Sequence, residues 1–148
     1  MKKLTVIAFL FPFILCAQTQ SIETNKKKIG KVECIKLTTV YATGDTSKNI
    51  MFSFRNEEYE VLTDYKSIEI PLDKKEILAF IKDLKETEAP MNAKGSIRWS
   101  REKYLLIVYD NTQKISLGTP ENSARGYVSI TNKQAEKIID WLTPLIPQ

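Results

Sequence analysis

Pro71–Leu84, PLDKKEILAFIKDL, decides how the rest of the chain is read. Asp73 stands three residues before Glu76, so a side-chain acceptor and a carboxylate fall at the spacing of a capping box. Asp in place of Ser or Thr makes the match partial. Ile77, Phe80, Ile81 and Leu84 follow at helical spacing and make one apolar stripe, while Lys74, Lys75, Lys82, Asp83 and Lys85 fall elsewhere on the wheel. An amphipathic helix with one core-facing side is expected here.

The pattern returns as Ser129–Leu142, SITNKQAEKIIDWL. Thr131 and Gln134 hold the capping spacing, and Ala135, Ile138, Ile139 and Leu142 form the stripe. Pro144 disfavours helix at Thr143, which places the end near Leu142. Strand-like segments precede both helices. In the first half they are Val32–Tyr41, Lys48–Arg55, Tyr59–Leu62 and Lys66–Ile70, with Arg55-Asn56 as a tight hairpin. In the second half they are Ser96–Trp99, Tyr104–Asp110, Lys114–Leu117 and Tyr127–Ile130, with a turn at Asp110-Asn111. Leu105, Leu106, Ile107 and Val108 are consecutive, which predicts a central strand buried on both faces.

The spacing supports an internal repeat. Ile70 to Val128 and Leu84 to Leu142 are both 58 places, Ile50 to Leu105 is 55, and Ile35 to Ile97 is 62. The expected fold is therefore α+β, a largely antiparallel sheet from two ββββα-like repeats (about 32–87 and 95–143) with both helices on one face. Two separate small sheets are the alternative. Thr87–Gly95 is the joint between the halves.

Not all 148 residues are expected to belong to that fold. Lys2 and Lys3 precede an apolar run from Leu4 to Leu15, and Cys16-Ala17-Gln18 follows. This is the layout of a secretory signal peptide, residues 1–17, and the run is too short to span a membrane. Lipidation at Cys16 is the less favoured reading, because Leu15 stands where such sites carry a small residue. Cleavage after Ala17 leaves 131 residues, enough for one domain over 32–148. Gln18–Lys31, polar and carrying Lys26, Lys27 and Lys28, is expected as a flexible lead-in. The lysine-led leader ending in Ala-Gln resembles those of small envelope proteins of Gram-negative bacteria. That resemblance implies a periplasmic or extracellular location and nothing about activity.

Losing Lys2 and Lys3 lowers the formal charge from +4 to +2, and nucleic acid is a poor match for an exported chain. Cys34 alone remains of the two cysteines, so no intramolecular disulfide is expected and a buried structural thiol is.

The chain has no histidine, which removes the commonest general base and metal ligand. No glycine-rich phosphate loop is present. Ser100-Arg-Glu-Lys103 has the S-x-x-K spacing of serine–lysine acyltransferases, but it lies in a predicted turn and lacks the companion motifs. Glu57, Glu58 and Glu60 fit no calcium loop and read as a solvated strand edge. No catalytic, cofactor or metal residues are assigned.

Two places could meet a partner. One is the basic and aromatic cluster Lys94, Arg98, Trp99, Arg101 and Lys103, since Arg and Trp serve as interface anchors. The other is the loop Gly118–Gly126, GTPENSARG, which carries Glu121 and Arg125. Arg98, Trp99, Arg101, Glu121 and Arg125 are the candidate partner-binding residues. The expected function is an exported, non-enzymatic domain binding a protein or peptide through a sheet face or that loop. A small-ligand carrier, with a pocket between sheet and helices near Phe52, Phe54, Tyr59, Tyr104 and Tyr109, is the second reading. A hydrolase using carboxylates or Ser100 with Lys103 is the third.

Overall fold

The computed structural model describes residues 20–58, 63–87, 97–108, 114–120 and 125–148. The leader, the strand at Tyr59–Leu62, residues 88–95 of the joint, the Asp110-Asn111 turn and Glu121 lie outside the described residues. The chain runs β1 (Gln20–Ile29), β2 (Val32–Val40), β3 (Thr46–Arg55), β4 (Tyr65–Pro71) and α1 (Lys74–Glu86). It continues with β5 (Ile97–Ser100), β6 (Leu105–Val108), β7 (Lys114–Gly118), β8 (Tyr127–Thr131) and α2 (Asn132–Leu142), then a single 3-10 turn at Thr143–Leu145. The strands pair antiparallel in two four-stranded sheets, β1-β2-β3-β4 and β5-β6-β7-β8. The fold is α+β, with two ββββα units in the two-sheet arrangement.

Both helices start as their sequences dictate. Asp73 accepts from the backbone N–H groups of Lys75 and Glu76 at 2.9 and 3.3 Å. Glu76 turns to Lys103 Nζ at 3.8 Å. In α2 the box is complete: Thr131 Oγ1 accepts from Gln134 N at 3.3 Å, and Gln134 Oε1 accepts from Thr131 N at 2.8 Å. The whole α1 stripe is buried, as are Ala135, Ile138, Trp141 and Leu142 of α2.

The first unit begins earlier than expected. Gln20–Ile29 is strand β1, not a flexible lead-in. Every residue of β1 before Ile29 is exposed, so it carries no alternation to read. Its three lysines sit on an edge strand, where charge discourages pairing with a further strand. The unit therefore counts β1 to β4, and its third strand, β3, corresponds to β7 rather than to β6. Arg55-Asn56 is not a tight hairpin either: Arg55 lies opposite Tyr65, so the connection runs through residues 56–64.

The turn from β1 to β2 meets the second unit. Ile29 opposite Val32 leaves Gly30-Lys31 as a two-residue turn. Gly30 has φ +61°, and a positive φ at the first central position alone is the type II′ pattern. A Cβ on Gly30 would stand 2.0 Å from Gln134 Nε2 in the α2 capping box. Gly30→Ala is thus expected to cost about 2–3 kcal/mol, from left-handed strain and a disturbed cap together. Urea titrations of Gly30→Ala alone and in a Gln134→Ala background separate the two: only the strain should survive in the second.

One core joins the units. Phe52 and Phe54 of β3, Ile68 and Ile70 of β4, and Phe80 of α1 pack in the same cluster as Leu106, Ile115, Val128 and Trp141. A chain of rings crosses it: Trp141 to Phe52 at 6.5 Å, Phe52 to Phe80 at 5.1 Å and Phe80 to Tyr104 at 4.7 Å. In β2 the core face carries Val32 and Cys34, while Ile35 and Leu37 are buried on the opposite face. Cys34 is fully buried, and burial pushes its thiol up to about 12, as suits a structural thiol. No described helix is long and apolar enough to cross a membrane.

Candidate functional site

The register of the second sheet builds a groove on the face away from the core. Residues directly opposite one another point to the same side. One row runs Arg98, Ile107, Ser116, Ser129, and the next runs Ser100, Leu105, Gly118, Tyr127. The alternate residues Leu106 and Val108 belong to the core. Leu105 and Ile107 are therefore half-buried on the outer face, which corrects the expectation that the apolar run of β6 is buried on both sides. The strand is central in its sheet, but its outer face is open.

These rows floor a groove of about 430 Å³. Leu105 and Ile107 are its apolar part, and Ser116 and Gly118 keep its middle low. A Cβ on Gly118 would come within 3.0 Å of the Gly126 carbonyl, so the position takes no larger residue without a shift. Arg98 stands on one side; Arg125, Glu58 and the half-exposed Tyr127 stand on the others. Among the described residues the groove thus offers guanidinium groups, one carboxylate and a phenol around an apolar floor. That chemistry suits a segment with both apolar and charged side chains.

The structure splits the sequence candidates. Arg98 and Arg125, 27 places apart in sequence, line one groove. Trp99 points the other way, packs half-buried against the core and donates from Nε1 to Glu86 at 3.2 Å. Arg101 is held by α1: its Nε and Nη2 reach Asp83 Oδ2 and Oδ1 at 2.7 and 2.8 Å, a bidentate fork. Burial alone would raise the Asp83 carboxyl, but hydrogen bonds from Arg101 and Tyr104 and the Arg101 charge hold it below its ordinary range. Lys103 of the S-x-x-K match pairs with Glu76 on α1 at 3.8 Å. Among the described residues no group of three His, Cys, Asp or Glu side chains could hold a metal ion.

Asn56 is the residue that sequence reading cast wrongly. It is 1 % exposed and acts as a bridge, not a turn. Its Oδ1 accepts from Glu58 N and from Tyr127 N, both at 3.1 Å, and its Nδ2 donates to Asp64 Oδ2 at 3.2 Å. Glu57 N donates to the Tyr127 carbonyl at 2.8 Å, and the Glu57 carboxylate accepts from Ser129 N at 2.7 Å while pairing with Lys31. The segment after β3 thereby clips the first sheet to β8 and sets the Glu58 wall. Nothing in a lone Asn marks this role, because the partner it bridges to, Tyr127, lies 71 residues away. Asn56→Ala is expected to cost about 1–3 kcal/mol by leaving two backbone donors without their acceptor. A urea titration checks this. Asn56→Asp should be destabilised more at neutral pH than near pH 3, since its carboxylate then faces that of Asp64.

A wider recess of about 680 Å³ lies where the two sheets meet. Lys28, Lys31, Arg55, Glu57, Tyr65 and Tyr127 line it, so Tyr127 belongs to both hollows. No protein-family model, curated protein or solved structure matches this chain.

Proposed function

We propose that this is an exported binding domain that holds an extended segment of a protein or peptide on the outer face of its second sheet. The groove over Leu105, Ile107 and Gly118, walled by Arg98 and Arg125, is the observation that carries the reading. An open, shallow hollow flanked by arginine and tyrosine fits a side-chain-bearing segment laid across a sheet. The carrier reading needs space around some of Phe52, Phe54, Tyr59, Tyr104 and Tyr109, of which Tyr59 and Tyr109 lie outside the described residues. Phe52, Phe54 and Tyr104 are buried within the core cluster, which favours the outer face.

Peptides selected from a random display library against the purified protein test the reading. Their binding is expected to fall at least tenfold on Ile107→Asp, about 1.4 kcal/mol, with the fold intact by circular dichroism. Selected peptides that ignore Ile107→Asp and Arg125→Ala would place the site elsewhere. Export rests on Met1–Ala17. The protein recovered from its own host is expected to have an intact mass starting at Gln18.

A further inference from the structure

We propose that α1 docks the protein on an anionic phospholipid bilayer, with Lys74, Lys75, Lys82 and Lys85 against the headgroups and Leu78 entering the interface between them. The four lysines and Leu78 fall within a sector of about 100° around the helix axis. All five are exposed, Leu78 by 45 %. Leu78 lies one turn from both Lys74 and Lys82. The carboxylates of α1 and its cap are engaged elsewhere. Asp73 accepts from backbone N–H groups of the first turn, and Glu76 pairs with Lys103. Asp83 takes Arg101 and Tyr104, and Glu86 accepts from Trp99 Nε1. Lys82 also reaches Glu86, at 3.7 Å, yet stays 74 % exposed. Lys74, Lys75 and Lys85 make no ion pair among the described residues.

The second helix supplies an internal reference. At the 58-place offset of Leu84 and Leu142, Leu78 corresponds to Glu136 and Lys82 to Asp140. Lys133, Glu136, Lys137 and Asp140 are exposed and alternate in sign, the pattern of a solvated face. α1 keeps the buried stripe but surrounds an exposed leucine with one sign of charge. Its stripe is spent on the core, so attraction to the bilayer is electrostatic first. A lysine near an anionic surface contributes about fivefold in affinity, so four give several hundredfold. Their stems lie along the surface while the ammonium groups reach phosphates, and Leu78 finds hydrocarbon. Spread over three turns of a convex face, these charges suit a flat surface whose own charges rearrange laterally. The groove floor lies on the side of the second sheet away from the cluster into which Phe80 and Leu84 pack, so docking through α1 leaves it free.

Co-sedimentation with vesicles of phosphatidylcholine, alone or mixed with phosphatidylglycerol, tests this. Binding is expected to be at least tenfold tighter to the anionic vesicles at low salt, with the gap closing toward about 1 M salt. Lys74→Glu with Lys85→Glu should remove at least tenfold of that affinity. Leu78→Ser should weaken it several-fold with the charge unchanged. Lys133→Glu with Lys137→Glu, the same charge change on α2, should leave it nearly intact. Circular dichroism checks the fold of each variant. All are isolated with the same N-terminus, so any contribution of Met1–Ala17 cancels. Equal binding to both kinds of vesicle would overturn the proposal. Equal losses from the α1 and α2 pairs would assign the attraction to bulk charge and overturn it as well. If soluble polyglutamate binds in a manner that needs Lys74 and Lys85 while vesicles do not bind, the face serves an acidic protein and the membrane proposal falls.

Discussion

Phe80→Ala is expected to remove about 3–5 kcal/mol of stability and to move the unfolding of both units together. Phe80 is fully buried on α1 and stands between Phe52 of the first unit, at 5.1 Å, and Tyr104 of the second, at 4.7 Å and edge to face. Truncation deletes a large apolar volume and two ring contacts, and neighbours fixed by sheet and helix cannot collapse into the space. A domain of this size has about 5–15 kcal/mol in all, so the variant sits close to its unfolding threshold. The two tryptophans make the cooperativity visible. Trp99 lies on β5 and Trp141 on α2, so fluorescence reports on the second unit, whereas far-ultraviolet circular dichroism reports on both. The shared core predicts coincident urea midpoints for the two signals in the wild type and equal shifts in Phe80→Ala. A fluorescence midpoint that stays in place while the dichroism moves would show two independently folding units.

What was legible in the sequence follows from how locally each feature is encoded. The helices, their caps and their stripes are written within about four residues of one another, and Ile77, Phe80, Ile81 and Leu84 are buried as the spacing dictates. The second-unit strands lie within a few residues of their expected spans for the same reason. β1 was illegible because its ladder is satisfied by β2, while its side chains face water on both sides. Missing it displaced the alignment of the units by one strand, although the match of Ile70 to Val128 survives in β4 and β8. The groove was half legible. Arg98 and Arg125 announced themselves by type, but the register that puts Ile107 beside Ser116 and Leu105 beside Gly118 is a property of pairing between strands. Asp83 gave no signal at all. It is a charged residue next to an apolar stripe, a position that is solvated in most helices, and its burial depends on a guanidinium 18 residues downstream.

Arg101→Ala is expected to be the most pH-sensitive change in the molecule. In the wild type the Asp83 side chain is 1 % exposed and Arg101 is 52 % exposed. Tyr104 adds a third hydrogen bond, from its hydroxyl to Asp83 Oδ2 at 2.9 Å. Together these partners outweigh burial and hold the Asp83 carboxyl below its ordinary value of 3.8. The folded state thus releases this proton more readily than the unfolded state does. The stabilisation is complete above about pH 4 and is lost as the pH falls through the depressed folded value. Removing Arg101 leaves burial opposed only by the Tyr104 hydrogen bond and the Lys82 charge, so the folded carboxyl is expected to rise above its unfolded value. The sign of the linkage then reverses: the variant pays its full penalty at neutral pH and recovers part of it as Asp83 takes up a proton on acidification. At pH 7 the loss is expected to be about 2–4 kcal/mol, below the range for a wholly buried pair because water reaches the outer side of Arg101. Between pH 7 and about pH 4.5 the gap to the wild type should narrow. Arg101→Lys keeps the charge but not the two-pronged geometry and should fall between them. Urea titrations of the three proteins at both pH values give the comparison. A gap that stays constant with pH would mean that Asp83 is not the buried charge being compensated. In that case the β5–β6 turn is tied to α1 by the Trp99 and Lys103 contacts with Glu86 and Glu76 instead.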